Sequence, residues 1–226
     1  KDKLAELDTW HRVELPKLLH DRDPAPFITH EELSKLMEWK LKKGKWRPQL
    51  MKYVKGLDAE EVKAASAKAL TQLIDGQLRS AVDALSALKG VGPATASAVL
   101  AAYDPKVPFM GDEALEAVAH IIGPRKYTLA HFLSFAEQME TKSAWLNDQI
   151  GDESWTPQRV QLCLYAEAHD AKPSAAKATT KPAATSTKRK AKASAAPVKR
   201  AKKQVETEEV GEQAPRRSQR KRQKTK

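Results

Sequence analysis

Twelve residues, Leu85-Ser86-Ala87-Leu88-Lys89-Gly90-Val91-Gly92-Pro93-Ala94-Thr95-Ala96, carry the densest chemical information in this chain. Glycines flank Val91 in a tight turn, and Pro93 suits the first position of a helix. Gly90 and Gly92 can take positive φ and admit another backbone at close range. A helix starting directly after them aims free N–H groups and the positive end of its dipole outwards, which makes an anion site suited to a phosphate. The amides of Gly90, Val91 and Gly92, with Thr95 behind them, therefore read as a sequence-independent grip on a nucleic-acid backbone. The same residues also read as an ordinary helical hairpin whose glycines only make the turn.

A second cluster lies at Glu38-Trp39-Lys40-Leu41-Lys42-Lys43-Gly44-Lys45-Trp46-Arg47-Pro48. Between Lys35 and Lys55 there are eight Lys/Arg and one acid. Cations here neutralise phosphates while indoles stack on bases. Lys42, Lys43, Lys45, Trp46 and Arg47 are the expected DNA contacts. The plainer reading is a helix end whose lysines favour the C-terminal dipole, with Trp39 in the core.

The elements that must position these groups are helical. Thr29-His30-Glu31-Glu32 is a capping box, and Leu33, Leu36, Met37 and Leu41 follow at helical spacing to Gly44. Pro48 opens a short helix ended by Gly56. Asp58 caps one carrying Val62, Ala65, Ala69 and Leu73, broken at Gly76. Helices over about 77–88 and from Pro93 to about Ala102 flank the glycine turn. Two prolines make Asp104–Pro108 a loop. The pattern predicts a helix over 113–122, another from about Thr128 through Met139, a separate short one holding Trp145 and Leu146, and a last one opened by Thr156-Pro157. No period-2 strand pattern occurs, so the predicted class is all-α.

The 226 residues carry a net charge of +11. Residues 173–226 hold 17 Lys/Arg and 4 Asp/Glu, a net of +13, leaving −2 for residues 1–172. The tail has no Leu, Ile, Met or aromatic residue, so its composition predicts disorder: too little apolar surface to offset an ordering entropy of roughly 1–2 kcal/mol per residue. Lys188-Arg189-Lys190 followed by Lys199, Arg200, Lys202 and Lys203 forms a bipartite nuclear-import pattern. The expected partners are DNA and, through the tail, import receptors, and the expected location is the nucleus. The plainer reading is a solvated polycation.

A single cysteine, Cys163, excludes a disulfide framework within the chain. The six histidines are scattered without ligand spacing, so no metal is expected; His11 and His120 read as core or surface residues. No apolar run approaches the ~20 residues that span a bilayer. The opening Lys1-Asp2-Lys3-Leu4 has neither initiator Met nor signal-peptide core, pointing to a trimmed or partial start.

The glycine turn resembles the helix-hairpin-helix motif, Leu-x-Gly-Val-Gly-Pro-x-Thr-Ala, in the form found in the helix-hairpin-helix DNA glycosylase superfamily. The match is strongest over residues 85–112. The Lys35–Lys55 segment is also similar to a Trp-Lys-Leu-x-x-Gly-x-x-Arg-Pro pattern in eukaryotic proteins carrying the same hairpin. The resemblance implies a glycosylase-like helical domain over 1–172. It makes Asp112, 20 positions after Gly92 in Val107-Pro108-Phe109-Met110-Gly111-Asp112, the catalytic carboxylate. Such a group stabilises positive charge on the sugar of a flipped nucleotide and orients water. It further implies that hairpin carbonyls can hold a monovalent cation; no other cofactor is expected. Bifunctional members place a Lys two residues after the second glycine, where this chain has Ala94, so an active protein would be monofunctional. Glu113, Ala114 and Glu116 also depart from the family's pattern. From the residues alone, Asp112 reads as a helix N-cap before Glu113. The alternative function is a non-catalytic chromatin or protein-interaction scaffold on the same fold.

Overall fold

The structure, a computed structural model, describes residues 2–170. The expected tail, with the import residues Lys188, Arg189, Lys190, Lys199, Arg200, Lys202 and Lys203, lies outside the described residues. Those that are described are all-helical, with no strand among them. Among the described residues no helix is long and apolar enough to cross a membrane.

The chain opens with α1 (Lys3–Thr9), a π-helical turn (Trp10–Glu14) and α2 (Leu15–His20). Pro16 explains the π turn: it has no N–H to give to Arg12, and its ring crowds that carbonyl, so the turn widens and Leu15 N–H reaches Trp10 C=O. Then come α3 (His30–Lys43), α4 (Pro48–Lys55), α5 (Ala59–Ile74), α6 (Leu78–Ser86) and α7 (Pro93–Tyr103). The capping box at Thr29 forms in full, with both Thr29 and Glu32 side chains bonded to backbone N–H groups.

The remaining elements are α8 (Asp112–Ala117), α9 (Ala119–Ile122), α10 (Leu129–Ile150) and α11 (Pro157–Asp170). Two expectations are corrected here. The 113–122 helix is broken at Val118 into α8 and α9. Trp145 and Leu146 do not lie on a separate helix: no Gly or Pro interrupts 129–150, so α10 runs 22 residues until Gly151 closes it in the left-handed conformation.

At the centre is α7, with Ala94 through Leu100 and Ala102 all buried. Its small side chains let α2, α3, α5, α6 and α10 pack against it. Ser97 adds a polar tie: its hydroxyl donates to Ala94 C=O and accepts from Met110 N–H at 3.0 Å. Gln158 on α11 accepts from Phe109 N–H at 2.7 Å, and its own N–H donates to Pro105 C=O. The Pro-rich loop is thereby pinned from two sides just before Asp112.

Candidate nucleic-acid interface

The α6–α7 turn uses its two glycines differently. Gly90 has φ +89°, and a Cβ there would sit 2.7 Å from Tyr53 Cβ on α4. Gly92 has φ −112° and ψ −178°, extended backbone open to any residue, and a Cβ there would meet nothing within 4 Å. So the positive φ expected of both glycines occurs only at Gly90. Val91 is buried, and its N–H donates to Leu88 C=O at 3.0 Å, which removes it from the expected set of outward donors. The amides of Gly90, Gly92 and Ala94 have no backbone acceptor among the described residues.

These amides border a cleft of about 180 Å³, lined by Lys40, Lys45 and Arg47 from the α3–α4 side and by Gly92, Thr95 and Asp112 opposite. Glycine turn, basic segment and Asp112 thus converge on one site. The cleft continues into an open trough whose far wall carries Glu116 and Glu167. Cations gather on the side of α3 and α4, acids on the side of α8 and α11.

Asp112 does not cap α8. Gly111 is the N-cap, Asp112 is the first helical residue, and the extended conformation at Gly111 turns the chain into the helix. The carboxylate is held instead by the loop before α10: Tyr127 Oη donates to Oδ1 at 2.7 Å, and Arg125 Nη1 lies 3.4 Å from Oδ2. It remains about one-third exposed. Burial raises the Tyr127 phenol above its ordinary value, and the bond to Asp112 with its charge adds to this, so Tyr127 stays a donor. Arg47 lies over the Tyr127 ring, 5.6 Å from its centroid. Sequence reasoning passed over Tyr127 and Arg125; their only signal was a basic stretch after Gly123-Pro124.

The predicted basic contacts divide. Lys45 and Arg47 are exposed and line the cleft. Trp46 is exposed at 51% beside it. Lys42 is exposed but does not line the cleft. Lys43 is committed within the protein: its side chain is 7% exposed, Nζ is 3.3 Å from Asp8 Oδ1, and it sits 3.3 Å from the Tyr165 ring centroid. Trp39 is core, stacked on His11 at 3.8 Å with its indole N–H donating to Asp8. It leans on Phe109, which joins α3 to the Asp112 loop.

His11 is buried as well, its Nε2 2.9 Å from Ala98 C=O. A carbonyl only accepts, so Nε2 carries a proton. Burial pushes its pKa down to about 4 against the pull of that carbonyl. Asp8 is held below the ordinary carboxylate value: burial works against this, but the Trp39 indole and Lys43 outweigh it. His120 is exposed and bonded to Ala117 C=O.

Lys40, unassigned from sequence beyond its place in the basic run, also reaches this cleft. Burial drives its pKa down to about 8, the Arg47 charge adds to the fall, and Asp112 partly offsets it.

No family model matches the chain, and no curated protein or solved structure matches it either.

Proposed function

We propose that this protein binds DNA in the nucleus by its phosphate backbone, with the α6–α7 turn setting the register. The observation that carries this reading is Gly92. Its face is open, its N–H is unclaimed, and it borders the same cleft as Lys40, Lys45 and Arg47. A strand laid along the α3–α4 wall would meet these cations and avoid Glu116 and Glu167. The basic tail adds long-range attraction and the import signal.

The test is duplex binding by the full chain, followed by fluorescence anisotropy across a salt series. Wild type should bind with an affinity that falls steeply with salt. Gly92→Glu should bind about 10- to 100-fold more weakly, the loss expected when a charge-assisted contact of about 1.5–3 kcal/mol is replaced by repulsion. Equal affinity of the two proteins would leave the turn a structural hairpin and refute the reading.

Asp112 favours a second reading, base release from a flipped nucleotide. It is fixed in orientation by Tyr127 and Arg125 at the edge of the cleft. Under this reading Asp112→Asn keeps DNA affinity and loses release of damaged or mismatched bases. A wild-type protein that releases no base from such a panel is a binder alone, as in the scaffold reading.

A further inference from the structure

Trp46 differs from the other four tryptophans of the chain. Each of those has a partner on its ring: Lys35 lies over Trp10, His11 stacks on Trp39, Lys142 lies over Trp145 and Arg159 over Trp155. Trp46 has none among the described residues, and it is half exposed. Its chain neighbours Lys45 and Arg47 both line the cleft, so the uncovered indole belongs to the basic α3–α4 wall. The other exposed aromatic on the rim, Tyr127, already has Arg47 over its ring and its hydroxyl tied to Asp112. A flat ring stacks on a base only where a face of that base is uncovered. In a duplex each base is covered by its neighbours, and a side chain enters only by unstacking a step. In a single strand the faces open readily, and stacking on an aromatic side chain serves any sequence. A paired strand on the trough side would also bring its phosphates against Glu116 and Glu167.

We propose that this interface takes single-stranded DNA in preference to duplex, with one unpaired base stacked on Trp46. Lys45 and Arg47 neutralise the phosphates that flank that base, and the α6–α7 turn holds a further one through the free amide of Gly92. The proposal rests on the DNA-binding reading above and narrows it to unpaired strands. The basic tail does not supply the preference. A polycation is drawn at least as strongly to a duplex, which carries twice the charge per unit length, so any preference for the single strand belongs to the helical body.

The experiment measures binding of the full chain to a labelled DNA oligonucleotide, alone and annealed to its complement, by anisotropy across a salt series. Once salt has screened the tail, the single strand should bind at least about fivefold more tightly than the duplex. Trp46→Ala should weaken single-strand binding roughly 5- to 150-fold and leave duplex binding unchanged, and Trp46→Phe should restore most of the loss. The comparison of the two DNA forms on wild type needs no variant to fold. Duplex bound as tightly as single strand at every salt, or a Trp46→Ala loss shared equally by both forms, overturns the proposal. An RNA strand of the same sequence bound more tightly than the DNA overturns it too. In each case a Gly92→Glu variant that still binds DNA more weakly than wild type leaves the DNA-binding reading intact. Gly92→Glu equal to wild type on both DNA forms overturns both.

Discussion

Gly90 holds φ +89° against Tyr53, whereas Gly92 lies in extended backbone with free space where a side chain would go. The two should therefore fail differently when substituted. Gly90→Ala adds a left-handed strain of about 1–2 kcal/mol and drives a methyl into Tyr53 Cβ. A loss of at least about 2 kcal/mol is expected, seen as a melting temperature lower by about 4–8 °C in a domain this size. Gly92→Ala should melt with wild type and lose affinity for duplex DNA, so melting and anisotropy together assign each glycine its role. Tyr127→Phe belongs at the same scale. It removes the 2.7 Å bond to Asp112 and leaves Arg125 as its remaining side-chain partner. Under the base-release reading, activity should drop several-fold with DNA affinity unchanged.

At the scale of elements, the Pro-rich loop depends on Ser97 as much as on its prolines. Ser97→Ala leaves the buried Met110 N–H without an acceptor, at about 1–3 kcal/mol, and frees the stretch leading to Asp112. Urea denaturation should report that loss, and any activity assigned to Asp112 should fall with it. The helices that contain the site were readable because their ends carry strong chemical marks: the Thr29 box, Pro48, Asp58, Pro93 and Pro157. What escaped was of two kinds. The α1–α2 arm carries only an Asp2 cap and Pro16, and the effect of Pro16 was to widen a turn and not to end a helix. The partners of Asp112 come from a loop 13–15 residues further on, joined to it only by tertiary packing. The basic run from Lys35 to Lys55 was visible as charge, but its sorting was not. Composition does not distinguish Lys43, bound to Asp8 and Tyr165, from Lys45 on the open wall.

Across the whole molecule, under the DNA-binding reading, the −2 body and +13 tail predict two separable components of affinity. Raising salt should strip the tail's contribution first, since it consists of phosphate neutralisation, and the Gly92→Glu difference should persist longest. Acid should act on the body through His11. Its pKa is about 4 when folded and 6.5 when free, so the unfolded chain binds the extra proton as pH falls between those values. Stability is therefore full above about 6.5 and declines toward about 4, by on the order of 3 kcal/mol. Urea midpoints at pH 7 and pH 4.5 should differ accordingly, and His11→Gln should remove most of the difference. At lower pH Asp8 adds to the decline, since its carboxylate is held below its ordinary value.

The burial of α7 also says where this protein could be altered. A helix of alanines and other small residues enclosed on every side accepts no larger side chain without moving its neighbours. The fold thus supplies a fixed frame, and the adjustable parts are the exposed segment between α3 and α4 and the 123–128 loop, which meet across the cleft. An engineer wishing to change what the cleft admits would build a library at Lys45, Arg47, Arg125 and Tyr127 and leave Pro93–Tyr103 untouched.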